Sequence, residues 1–213
     1  MKVYVIGGYL SYADIVDQPN IVDSPEKADV AILTGGEDVN PEFYDEVAHY
    51  TTSYNTQRDI HEMREVDECL KLGLPIVGIC RGSQLTTVIN KGKLIQHVVG
   101  QPYMHQVKDV HLNKHYDVTS THHQMLFPFN LEKSKYKVLA YAKNLTHRFE
   151  GLPKGFDKPD VEPEIVYYPE TNMLAIQSHP EHLDVGSPLR NVSNYYVSAL
   201  VNNELKNKYT IVN

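Results

Sequence analysis

One cysteine, one histidine and one glutamate in this chain are the residue types a thiol hydrolase needs. Cys80 lies in Val77-Gly78-Ile79-Cys80-Arg81-Gly82-Ser83-Gln84, an apolar run that enters a glycine-flanked turn and opens a helix. A turn of this kind presents a nucleophile. The free N–H groups of the new helix favour a thiolate and hold a developing oxyanion. Far downstream, Gln177-Ser178-His179-Pro180-Glu181 sets a carboxylate two residues after an imidazole. A thiol needs a base and the base needs an orienting group, which makes Cys80, His179 and Glu181 a candidate nucleophile, base and orienter.

Other reactive residue types read more plainly. Cys69 shares a helical face with Val66 and Leu70 and is expected to be a small buried hydrophobe. His105, His111, His115, His122 and His123 raise the question of a metal, but their spacing is loose and no helical pair comes with a third ligand. No metal and no other cofactor is expected. Glu37 and Asp38 are adjacent, so their side chains point apart and read as loop-stabilising. Gly7-Gly8 follows a strand but lacks the G-x-G-x-x-G spacing of a dinucleotide site.

Positioning such a site requires strands that end together. Val3–Ile6, Asp29–Leu33 and Ile76–Ile79 read as short buried strands, with helices predicted over 57–72 and 83–90. This alternation implies a parallel sheet with helices on both faces. The middle of the chain changes to shorter strands over 94–99, 107–112, 115–118 and 138–142, and a loop is expected over 150–164. Ile165–Tyr168 and Met173–Gln177, divided by Pro169-Glu170-Thr171-Asn172, read as a hairpin that delivers His179. Residues 188–208 are expected to close the chain as one amphipathic helix with Leu189, Val192, Tyr196, Ala199 and Leu200 on its apolar side.

Composition narrows the function classes. With 213 residues, 41% hydrophobic and 22% charged, the chain is expected to form a single domain over 1–213. A formal charge of −7 without a basic run argues against a nucleic-acid partner. Two cysteines make no disulfide framework, and no apolar stretch approaches the roughly 20 residues that span a bilayer. A cytoplasmic protein with no membrane partner is expected.

Taken in order, the motifs suggest a family. The chain resembles class I glutamine amidotransferase-like proteins, and within them the γ-glutamyl hydrolase branch, peptidase family C26. The resemblance rests on Gly35-Gly36-Glu37-Asp38-Val39-Asn40-Pro41 with Tyr44, on Arg58-Asp59, on the Cys80 block and on the His179 block. Ser120-Thr121-His122-His123-Gln124 resembles the family's histidine-rich loop, and Lys93–His97 its short strand after the elbow helix.

The resemblance implies a three-layer, flavodoxin-like α/β fold with a mostly parallel central sheet and a small antiparallel extension. It implies a Cys80–His179–Glu181 triad and an oxyanion hole made by the N–H groups of Gly36 and Arg81. Gly35, Gln84, Ser120, His122 and His123 are the residues it places against substrate. The implied activity is hydrolysis of a γ-glutamyl amide through a thioester, with a small γ-glutamyl compound or glutamine as the partner molecule. The alternatives are a glutaminase feeding ammonia to a separate synthase partner, and a catalytically silent binding protein on the same scaffold. Two departures bear on the substrate: Ser178 stands where the family has an aromatic residue, and a proline-rich stretch over 153–163 replaces its Asp-Gly…Glu segment.

Overall fold

Short apolar runs become the middle of a nine-stranded sheet in the computed structural model, which describes residues 1–209. The first half of the chain supplies β1 (Lys2–Ile6), β2 (Asn20–Val22), β3 (Val30–Leu33), α1 (Thr56–Lys71), β4 (Ile76–Ile79) and α2 (Arg81–Ile89). Then come β5 (Lys93–Ile95), β6 (His97–Val99), β7 (Met104–Asp109), β8 (Lys114–Thr119), β9 (Met125–Phe127) and β10 (Lys137–Ala142). The chain ends with β11 (Arg148–Glu150), β12 (Glu162–Tyr168), β13 (Met173–Ile176), α3 (Pro188–Val201) and α4 (Glu204–Tyr209).

The strand order is β2-β1-β3-β4-β13-β12-β10-β7-β8. Pairings from β2 to β13 are parallel, and those from β13 to β8 are antiparallel. The antiparallel part therefore continues the main sheet rather than standing apart from it. Two further ladders, β5 with β9 and β6 with β11, carry the loop that holds His122 and His123.

Strand alternation divides the core between the two faces. Val30 and Ile32 on β3, Val77 and Ile79 on β4, and Leu174 and Ile176 on β13 share one cluster with Leu189, Tyr196 and Leu200 of α3. Their neighbours Ala31, Leu33, Ile76, Met173 and Ala175 meet Val66 and Cys69 of α1 and Leu85 and Val88 of α2 on the opposite face. Cys69 is fully buried there, as its helical spacing predicts. The result is the expected three-layer α/β arrangement.

Several elements differ from expectation: β9 and β11 are unanticipated, β7 lies three residues before the strand expected over 107–112, and β12 takes the last three residues of the loop expected over 150–164. Asn20–Val22 pairs at the sheet edge as β2, a run too short and too exposed to leave an apolar signature. The strand expected over 94–99 divides at Gln96, because that side chain leaves the ladder to bond the 47–52 loop. It accepts from His49 N at 2.8 Å and Thr52 Oγ1 at 2.9 Å and donates to Val47 O at 2.9 Å. The closing helix breaks between α3 and α4, where Asn203 takes a left-handed φ of 60°. Asparagine tolerates that conformation better than most residues, so the break falls at the Asn202-Asn203 pair.

Candidate active site

Three adjacent parallel strands, β3, β4 and β13, end at one edge, and each is followed by a motif picked out from the sequence. The carboxyl ends of parallel strands are where open α/β sheets collect their sites. Gly35–Asn40 follows β3, Cys80 follows β4 and His179 follows β13.

Cys80 has φ 52° and ψ −112°, a strained backbone for a residue with a side chain. Its neighbours hold it there. Cys80 N donates to Ile176 O at 2.9 Å, and Cys80 O accepts from Ser83 N at 3.0 Å, Gln84 N at 3.1 Å and Ser83 Oγ at 2.6 Å. The flanking glycines permit close packing under the turn. A Cβ on Gly78 would strike the Gly82 carbonyl, and one on Gly82 would strike the Leu33 carbonyl. The elbow is less open than expected, since Cys80 is 8% exposed, and it reaches solvent through a cleft of about 220 Å³.

His179 Nδ1 lies 2.6 Å from Glu181 Oε1, and His179 N donates to Thr119 Oγ1 at 2.9 Å. Burial opposes a charged imidazole, but hydrogen bonding to the Cys80 thiol and to Glu181 outweighs it, so His179 is pushed up to about 10. A protonated imidazole beside a thiol is the arrangement that supports a thiolate. Sequence reasoning missed two rings around it. His182 stacks on His179 with centroids 4.6 Å apart and planes at 0°, and Tyr12 meets it edge-on at 6.2 Å. A Cβ on Gly35 would strike the Tyr12 hydroxyl, so that glycine makes room for the ring.

The Gly35–Asn40 loop is held by charges from α1. Arg58 donates to Gly35 O at 2.8 Å and pairs with Glu37 and with Glu62, the latter at 2.7 Å. Arg81, 1% exposed, pairs with both Asp59 and Glu62. Asp59 also accepts from Asn40 N at 2.9 Å. Elbow, loop and helix are thus one ionic network, buried at Arg81, Asp59 and Glu62 and reaching solvent at Glu37. Arg58-Asp59 was visible as a motif; the Arg81 side chain and Glu62 were not, because their partners are 19 to 22 residues away. The first N–H groups of α2, that of Arg81 among them, have no partner within the helix.

The cleft is lined by Gly36, Cys80, Gln84, His122 and His123, with Glu37, Asp38, Thr51, Ser53, Thr121 and Gln124 completing the wall. Gly35 lies beside His179 rather than on that wall. Ser120 is also off it, with Oγ 3.2 Å from Gln101 Oε1 and 3.4 Å from His122 Nε2. Burial lowers His122, whose Nδ1 lies 2.8 Å from Gln124 O. Asp38 bonds His123, at 3.0 Å, and raises it, while Asp38 Oδ2 accepts from Ser53 N at 2.9 Å. Glu37 pairs with Arg58 of α1 and Asp38 with Ser53 and His123, so both tie the loop to neighbouring segments while also facing the cleft. Of the other histidines considered as metal ligands, His105 is buried against Glu164 at 3.1 Å. His111 bonds Tyr209 and Tyr195, and neither it nor His105 meets His122 and His123 in a shared donor set among the described residues.

Comparison with known proteins places the chain in a family. The Peptidase C26 family model matches residues 15–181. NtpR of Enterococcus hirae is 38% identical over 36% of this chain and 33% of its own length. The glutamine amidotransferase-like protein RP404 of Rickettsia prowazekii is 25% identical over 83% of this chain and 56% of its own. The chain thus spans a third to about a half of these relatives. A solved structure described as a GMP synthase subunit from Thermoplasma acidophilum superposes with TM-score 0.61 at 16% identity, covering 98% of both chains. The glutaminase domain of Trypanosoma brucei CTPS gives 0.60 at 11% identity over 95% of this chain and 94% of that one. At those identities the two structures share the fold. No helix of the described residues is long and apolar enough to cross a membrane.

Proposed function

The chain belongs to the peptidase C26 family of the class I glutamine amidotransferase-like superfamily, and from that premise we propose that it is a cysteine hydrolase of γ-glutamyl amide bonds. The carrying observation is the strained Cys80 turn opening onto the cleft beside an imidazole that Glu181 holds at 2.6 Å. Cys80 attacks the side-chain amide carbonyl, and the N–H groups of Gly36 and Arg81 hold the oxyanion. His179 gives its proton to the departing amine, leaving a γ-glutamyl thioester on Cys80. His179 then takes a proton from water, which releases glutamate and restores the thiol. Gln84, His122 and His123 on the cleft wall, with Gly35 and Ser120 behind it, are the groups we assign to the glutamyl part.

A second reading, a glutaminase supplying ammonia to a separate synthase partner, is favoured by the likeness to the CTPS glutaminase domain and to a GMP synthase subunit. The two readings part on autonomy. Glutamate release by the purified chain alone, measured with L-glutamine and a panel of γ-glutamyl amides beside Cys80→Ala, is the test. Cys80-dependent turnover of a γ-glutamyl amide above that of glutamine supports the hydrolase. Silence on every compound from a chain whose Cys80 still reacts with a thiol-reactive glutamine analogue supports the glutaminase reading. Full activity in Cys80→Ala would falsify both.

A further inference from the structure

Behind the cleft wall, His97 brings its Nδ1 to 3.1 Å from Nδ1 of the wall residue His123, with ring planes at 58°. Two nitrogens on one tetrahedral ion at ordinary Zn–N distances lie about 3.3 Å apart. We propose that His97 and His123 bind a divalent transition-metal ion of the zinc class through these two nitrogens, with Asp38 as the carboxylate that orients His123.

Three observations support the site. Asp38 Oδ1 lies 3.0 Å from His123 Nε2, which puts the His123 proton on Nε2 and leaves the Nδ1 lone pair for a metal. A carboxylate behind a ligand imidazole is the usual outer partner of protein metal sites. Both histidines sit on braced backbone. His97 is in the β6–β11 ladder opposite Glu150, and Val98 N donates to His123 O at 2.7 Å, which ties the two segments together. The ring of His49 stacks on His97 at 5.7 Å and 18°, fixing its orientation.

The proton balance is simple. In the metal-free pair one Nδ1–H bonds the other Nδ1; on binding, the His97 proton moves to its Nε2, and two neutral imidazoles face the ion. The remaining coordination positions are filled by water or by a donor group of a molecule in the cleft, because His123 is part of the wall around Cys80.

The competing cluster fails on geometry. His179, Glu181 and His182 bring three donor atoms within 4.8 Å of one another. Their two rings lie parallel, one over the other, so the lone pairs, which lie in the ring planes, cannot converge on one ion.

Co²⁺ titration into the untagged Cys80→Ala chain tests the proposal, since that variant removes the thiolate as a rival ligand and the reading does not depend on turnover. Calorimetry is expected to show a single Co²⁺ per chain. His97→Ala and His97→Gln should each weaken binding at least tenfold with the thermal melt retained. Asp38→Asn should weaken it by about 10–100-fold, as loss of an outer partner does. His182→Ala should leave it unchanged. Undiminished binding in both His97 variants, loss confined to His182→Ala, or no binding at all would each overturn the site.

Discussion

Ile79 on β4 pairs in register with Ile176 on β13. Cys80 therefore leaves its strand at the pairing, and His179 leaves the neighbouring strand three residues later, bringing thiol and imidazole to one edge across about 5 Å of sheet. Neither strand end alone would hold the pair. The relationship is a property of the ladder, and the turn residues only complete it.

If Cys80, His179 and Glu181 act as proposed, their substitutions separate by role. Cys80→Ala is expected to abolish glutamate release while leaving the fold intact, because a small side chain at the edge of a cleft leaves little void. His179→Ala should come close to the same loss. Glu181→Gln should lower kcat less, by about 10²–10⁴, because it disturbs orientation rather than removing a reacting group. Steady-state kinetics on the three variants, with circular dichroism as the fold control, checks the order.

The His179 titration is directly observable. Its ring is held protonated up to about 10, so its NMR signal should not move through neutral pH. Since the pairing with Cys80 and Glu181 offsets burial, Cys80→Ala and Glu181→Gln should each lower the midpoint. Because the folded value lies above the ordinary 6.5, the stabilisation linked to this ring is complete below about 6.5. It is lost as pH climbs through about 10. A flat stability difference between wild type and His179→Ala across that window would contradict the linkage.

The ionic network under the elbow predicts a large stability loss from a residue far from any substrate. Glu62→Ala strands Arg81, which is almost wholly buried, with only Asp59. Breaking a buried pair on one side typically costs about 3–5 kcal/mol. Chemical denaturation should show a shift of that size, and Arg81→Lys should not rescue the two-carboxylate contact that the guanidinium fork makes.

Two glycines should respond differently to alanine. Gly82→Ala forces a methyl group into the Leu33 carbonyl, and the backbone of β3 or α2 must move. A loss of about 3 kcal/mol or more is expected, with activity falling as the elbow shifts. Gly73→Ala meets no neighbouring atom among the described residues but keeps a φ of +70°, so its loss should be only about 1–2 kcal/mol. Thermal melts of the pair measure the difference.

Buried Ser178 gives a prediction of the opposite sign. Among the described residues its Oγ has no hydrogen-bond partner, and its side chain is fully enclosed. Ser178→Ala removes an unsatisfied hydroxyl and should be neutral or raise stability by up to about 1 kcal/mol. A substantial loss would mean that a partner for this hydroxyl is bound in solution.

The local parts of this protein were legible in its residues. Ile76–Ile79 had to be a buried strand, the glycines around Cys80 had to make a tight turn, and His179 with Glu181 had to follow a hairpin, because apolar runs, glycine spacing and turn residues act over a few positions. What tertiary structure alone decided was which of these ends meet. The Arg81 fork finds Asp59 and Glu62, Tyr12 and His182 frame His179, and His97 meets His123. Most of those contacts join segments that only the sheet order brings together. Even the near neighbours, His179 and His182, depend on how their turn is held. A charge or an imidazole carries no local sign of the distant partner that will satisfy it.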